Sequence, residues 1–142
     1  MKVSNISRMF AGCSSLEKID LRNFSTGLVT NMEYLCASCS NAKRIDISGF
    51  DTAKVTDMES MFDGCESAET INISGISGKS VTKTDRMFAD CRSVKDIDLS
   101  KFETDTLTSM KEMFTDCEKA ESITLSTKLH TTNVTDMSGL FR

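Results

Sequence analysis

Cys13, Cys39, Cys65, Cys91 and Cys117 follow one another at a constant interval of 26 residues. No other feature limits the possible folds as tightly. A fixed period of roughly 20 to 50 residues marks a stacked array, in which one small unit recurs and buries its apolar face only against its neighbours. The clearest copy of the unit runs from Val55 to Ile73, VTDMESMFDGCESAETINI.

Within that copy Val55, Met58, Met61, Phe62 and Cys65 share the spacing of one helical face. Thr56 and Glu59 have the spacing of a capping box, which would satisfy free N–H groups of a first helical turn. Gly64 stands where a helix would end in a left-handed residue, and its equivalents are Gly12, Ser38, Asp90 and Asp116. After Cys65 the period changes. Ala68, Ile71 and Ile73 end in alternation, which predicts a short strand with one buried face. Leu16/Ile19/Leu21, Ala42/Ile45/Ile47, Val94/Ile97/Leu99 and Ala120/Ile123/Leu125 repeat it, and Phe24, Phe50, Ile76 and Phe102 follow three residues later.

The expected fold is therefore an α/β repeat solenoid. Five short strands, centred on Ile19, Ile45, Ile71, Ile97 and Ile123, would pair in parallel at 26-residue offsets, with short helices on the opposite face. The whole chain, 1–142, reads as a single domain of five repeats preceded by a half repeat at Val3, Ile6, Met9 and Phe10. Local departures are Cys36 for Phe, Thr84 for Met, Ile76 for Phe, and one extra residue in the turn containing His130. Gly75 and Gly78 read as loosening the third turn. Both ends stop at the same phase without a polar capping unit, so the array is expected to be cut from a longer one or to stack end to end.

Composition bounds the function. The net charge of -4 argues against a nucleic-acid surface. No apolar run is long enough to span a membrane, and the first residues lack the apolar core of a secretory signal. The five phased cysteines read as a core ladder of unpaired thiols. Rungs about 5 Å apart lie within disulfide reach, so only the parallel side-chain directions argue against pairing.

The run VTDMESMFDGCESAETINIS, repeated every 26 residues, closely resembles the 26-residue bacterial surface-protein repeat of the BspA-like leucine-rich-repeat group. The likeness extends from Val3 to Phe141. It implies a right-handed leucine-rich-repeat-like array on a secreted or surface-anchored protein, with relatives acting in adhesion and in host or matrix binding. It supplies no catalytic residues to carry over.

Catalysis finds little in the residues themselves. His130 is the only histidine and lies in the irregular turn, without a triad partner. Cys36 and Cys39 form a C-x-x-C whose nearest candidate partners, Cys13 and Cys65, sit at core phase, so no metal and no cofactor is expected. The polar side of the strands is the candidate binding face. Asp20, Asp46, Asn72, Asp98 and Thr124 form one column, flanked by Lys18, Arg44, Thr70, Asp96 and Ser122 and by Arg22, Ser48, Ser74, Ser100 and Ser126. The bland alternative is a solvated sheet face, which every such array must keep polar. The expected function is a non-enzymatic binding segment of a bacterial adhesin, engaging an unidentified protein or glycan through this face. The rival is a spacer or self-assembling rod that associates end to end. No nucleic acid and no membrane insertion is expected.

Overall fold

The computed structural model describes residues 2–142. Five strands appear in chain order: β1 (Lys18–Asp20), β2 (Arg44–Asp46), β3 (Thr70–Asn72), β4 (Asp96–Leu99) and β5 (Ser122–Leu125). All pairs are parallel and in register at 26-residue offsets, with Ile19 opposite Ile45, Ile45 opposite Ile71 and Ile97 opposite Ile123. They form two sheets, β1-β2-β3 and β4-β5. A second column of single parallel bridges joins Asn5, Asn31, Asp57, Lys83, Ser109 and Asp136 on the turn side.

The expected helices do not form. Among the described residues there is no helix, and Val55 to Cys65 is a chain of turns. The backbone bonds show why. Met61, Asp63 and Cys65 donate to the carbonyls of Met58, Ser60 and Phe62 three residues back, at 3.3, 3.2 and 3.1 Å. The intervening N–H groups of Met58, Ser60, Phe62 and Gly64 leave the segment and donate to Lys83, Asp85, Met87 and Ala89 of the next unit, at 3.1, 2.8, 2.9 and 2.9 Å. A helix would need every N–H turned to its own carbonyl four residues back. Left-handed residues reset the direction of the chain: Ser60 and Gly64 have φ of 53° and 75°. Tyr34, Arg86 and Glu112 match Ser60, while Gly12, Ser38, Asp90 and Asp116 match Gly64, all at positive φ.

The capping box is likewise replaced. Glu59 N–H donates to Asp57 Oδ1 at 2.9 Å, and Thr56 Oγ1 reaches the Thr30 carbonyl at 3.2 Å. Thr30, Thr82, Thr108 and Thr135 repeat that bond to the preceding unit, an inter-unit ladder rather than a helix start. The α/β solenoid with helices behind one strand array is thus corrected to a helix-free chain of turns with five short parallel strands in two sheets.

The division between β3 and β4 coincides with a change of residue at one corner. A Cβ on Gly49 would lie 1.9 Å from the Arg22 carbonyl oxygen, and one on Gly75 would lie 2.1 Å from that of Ser48. Units one to three therefore meet through glycine at this corner, and Gly75 serves close approach rather than looseness. The same phase in the fourth unit is Lys101, which carries a Cβ where Gly49 and Gly75 have none. A cavity of about 120 Å³ opens there, lined by Ile73, Ser74, Ile76, Ser100, Lys101 and Phe102. In the fifth unit Thr127 holds the phase, and β5 pairs with β4 in register.

The core lies between the strand and turn sides. Phe62, Phe88 and Phe114 are buried and stack with centroids 5.5 and 5.8 Å apart. Cys39, Cys65 and Cys91 are fully buried, whereas Cys13, Cys117, Phe10 and Ile123 are half-buried in the end units. All six cysteines are free thiols. Four donate to a carbonyl of the preceding unit: Cys39 to Phe10, Cys65 to Cys36, Cys91 to Phe62 and Cys117 to Phe88, at 3.1 to 3.3 Å.

Candidate functional site

Strand alternation turns Ile19, Ile45, Ile71 and Ile97 inward and their neighbours outward. Lys18, Asp20, Arg22, Arg44, Thr70, Asn72, Ser74, Asp96, Asp98, Ser100, Ser122 and Thr124 are exposed, and Asp46 and Ser48 are half-buried. The structure divides this face. Lys18, Asp20, Arg22, Arg44, Asp46, Thr70 and Asn72 line one groove of about 440 Å³ across β1, β2 and β3. Asp96, Asp98, Ser122 and Thr124 stand apart on the second sheet.

The aspartate column has a structural duty. Asp20, Asp46, Asn72 and Asp98 each accept the N–H two residues on, from Arg22, Ser48, Ser74 and Ser100, at 3.3, 2.9, 3.2 and 2.9 Å. These Asx turns end the strands. The D/N-x-S spacing was a readable sign of them in three units.

Arg22 grips Asp20 through two bonds, Nε to Oδ1 at 2.9 Å and Nη2 to Oδ2 at 2.7 Å. Its hydrogen bonds and charge, helped by Lys18, hold the Asp20 carboxyl down at about 2. Asp46 is raised by its partial burial, but hydrogen bonds from Ser48, the charge of Arg22 and the amide of Asn72 outweigh that and lower it. Lys18 lies 3.7 Å from Asp20. Arg44 has no carboxylate partner among the described residues. The groove thus holds two tied carboxylates, one tied guanidinium, and the Arg44 guanidinium directed at solvent.

His130 occupies a different place. Its Nδ1 is hydrogen-bonded to Asp105 Oδ1, a partner 25 residues away that sequence spacing did not reveal. Lys79, Glu103, Thr104 and Lys128 complete that shallow site. His130 and Asp105 are both exposed, and among the described residues no hydroxyl bonds the ring to make a nucleophile. Cys36 and Cys39 are both core residues, Cys36 standing in the stacked-Phe column.

The charges on the turn side are more ordered than mixed composition suggests. Arg86 bonds Asp63 at 2.8 and 3.2 Å and Glu112 at 2.7 Å, tying three successive units, and Asp90 at 3.3 Å. On the same side the Arg8 guanidinium lies 4.2 Å over the Tyr34 ring.

The family model described as "Mycoplasma protein of unknown function, DUF285" matches residues 4–125. No curated protein and no solved structure matches the chain.

Proposed function

The chain belongs to the family described as Mycoplasma protein of unknown function, DUF285, and from that premise we propose that it is a non-enzymatic binding module of a surface protein. Its groove across β1–β3 would take an acidic extracellular protein or glycan. One observation carries the reading: Arg44 faces solvent without a carboxylate partner, beside Lys18, over a floor whose own carboxylates are already hydrogen-bonded. Desolvating a guanidinium that has no internal partner is offset best by an incoming anion, and its planar fork suits a carboxylate or sulfate.

The likeness to the 26-residue BspA-like surface repeat supports a secreted or cell-surface setting and a role in adhesion. The test is binding to immobilised heparin, hyaluronate and poly-glutamate. Wild-type protein should bind at least one of the three. Arg44→Glu and Lys18→Glu should each weaken that binding several-fold, while Lys54→Glu, on an exposed turn away from the groove, should not. Equal binding by all the variants would overturn the proposal.

A further inference from the structure

The groove across β1–β3 does not stop at β3. A second pocket of about 480 Å³ lies beside it, lined by Glu69, Thr70, Ser93, Lys95, Asp96 and Lys119. Thr70 lines both, so groove and pocket form one track across the strand face. Cations stand at either end of this track. Lys18 and Arg44 lie opposite each other on β1 and β2, and Lys95 and Lys119 lie beyond β3. Like Arg44, neither Lys95 nor Lys119 has a carboxylate partner among the described residues.

The second pocket sits at the seam between the two sheets. Just before the strands, one column of backbone bonds ties each unit to its neighbour. Lys43 N–H donates to Glu17, Glu69 N–H to Lys43 and Glu121 N–H to Lys95, at 2.8, 2.9 and 2.7 Å. The step from Lys95 to Glu69 is missing from this column, in the interior of the array. Among the described residues the Lys95 N–H has no acceptor there and the Glu69 carbonyl has no donor. Both residues line the pocket, as do Thr70 and Ser93, whose hydroxyls make no hydrogen bond among the described residues. Backbone groups of this kind are strong donors and acceptors, left here to solvent or to a ligand.

The order of charges selects the ligand. Between the two cation pairs stand the carboxylates of Glu69 and Asp96, the latter already accepting from Ser122 Oγ at 2.6 Å. An unbroken run of acidic side chains would set its own carboxylates against these two. Arg44 on β2 and Lys95 immediately before β4 are two strand positions apart, which is at least about 10 Å. A fitting ligand therefore carries anions at intervals, with neutral donors and acceptors between them. A linear polysaccharide that alternates a uronate with a neutral amino sugar has this pattern. Its carboxylates would meet the cation pairs, and the hydroxyls and amide of the intervening ring would meet Thr70, Ser93 and the open backbone groups.

On the anion-binding reading of the groove, on which this rests, we propose that the strand face takes a linear uronate polysaccharide laid across the strands, spanning the groove and the seam pocket at once. Joining two weak sites through one chain makes the second contact intramolecular, so affinity depends on ligand length.

The experiment is an NMR titration of the full chain with a hyaluronate disaccharide, a hyaluronate octasaccharide and a poly-glutamate matched to the octasaccharide in charge. Wild type, Arg44→Glu, Lys95→Glu, Lys119→Glu and Lys54→Glu are compared. All five positions are exposed, unfolding midpoints report whether each variant folds, and the corresponding glutamine variant replaces any that does not. In wild type the octasaccharide should bind at least several-fold more tightly than the disaccharide and than poly-glutamate, and should shift the amides of Arg44, Thr70 and Lys95 together. Arg44→Glu, Lys95→Glu and Lys119→Glu should each weaken octasaccharide binding several-fold and remove the advantage of length, while Lys54→Glu should not. If Arg44→Glu weakens binding but Lys95→Glu and Lys119→Glu do not, the groove binds an anion and the track across the seam is overturned. Tighter binding of poly-glutamate than of the octasaccharide overturns the polysaccharide in favour of an acidic peptide. If Arg44→Glu changes the binding of none of the three ligands, the groove reading falls and the inference with it.

Discussion

The thiol of Cys65 donates to the carbonyl oxygen of Cys36 at 3.2 Å, across the boundary between two units. The same bond recurs from Cys39, Cys91 and Cys117. A side chain that packs as a small hydrophobe thus also satisfies a backbone acceptor at each step of the core.

Burial pushes the thiols of Cys36, Cys65 and Cys91 well up, and that of Cys117 to about 11. The attacking species in thiol chemistry is the thiolate, so native protein should react slowly with a maleimide, at Cys13 and Cys117 first. Denatured protein should yield all six. Rapid labelling of Cys65 or Cys91 in native protein would contradict the ladder.

Stability against pH follows from the same burial. The folded state holds these protons more tightly than the unfolded chain, whose thiols titrate near 9.0. The contribution is therefore complete below about pH 9 and declines as pH rises beyond it. The urea midpoint should be level from pH 7 to 8 and fall progressively above 9, and the fall should be smaller in Cys91→Ala.

Phe88 lies between Phe62 and Phe114 with centroids at 5.5 and 5.8 Å. Phe88→Ala should cost about 3 to 5 kcal/mol of unfolding free energy. Phe141 occupies the same column but is mostly in water, and Phe141→Ala should cost below about 1 kcal/mol. Chemical denaturation at low protein concentration separates the two.

The strands were legible because alternation around Ile19, Ile45, Ile71, Ile97 and Ile123 has one physical reading. The 26-residue period then matched three of the four expected pairings, but it also set Ile71 opposite Ile97, and β3 and β4 do not pair. The turn side was not legible. Spacing such as that of Val55, Met58, Met61, Phe62 and Cys65 suits a helix face, and equally suits turns three or four residues long whose corners point inward. What decides between them is the destination of alternate N–H groups, 25 residues away in sequence. The left-handed residues at Tyr34, Ser60, Arg86 and Glu112 carry no glycine or asparagine to announce them. The outward columns of the strand face could be read from alternation alone, but the division of that face could not. It coincides with Lys101 standing where Gly49 and Gly75 stand.

Ser60 is buried, has φ of 53°, and its hydroxyl has no hydrogen-bond partner among the described residues. Ser60→Gly removes a left-handed strain of about 1 to 2 kcal/mol and an unsatisfied hydroxyl, against roughly 0.4 to 1 kcal/mol of added unfolded-chain entropy. It should stabilise the protein by about 1 kcal/mol. Gly64→Ala, at φ 75°, should destabilise it by about as much. A Ser60→Gly protein less stable than wild type would mean that the serine hydroxyl makes a bond in solution.

The corner occupied by Lys101 allows a test of why there are two sheets. At Gly75 a Cβ would meet the Ser48 carbonyl at 2.1 Å, so Gly75→Ala must push the third unit off the second. Overpacking of this kind costs about 1 to 3 kcal/mol. The displaced register should also speed hydrogen exchange at Thr70–Asn72. The opposite change, Lys101→Gly, removes the side chain that keeps the fourth unit from the third and should close the cavity of about 120 Å³. Strands β3 and β4 can then pair, and the amides of Asp96–Leu99 should exchange more slowly. The gain in net stability should be small, because glycine loses about 0.5 to 1 kcal/mol more conformational entropy on folding than a residue such as alanine. Exchange is therefore the decisive measurement rather than the unfolding midpoint. If the β4 amides exchange at the wild-type rate in Lys101→Gly, the side chain at this corner is not what separates the sheets.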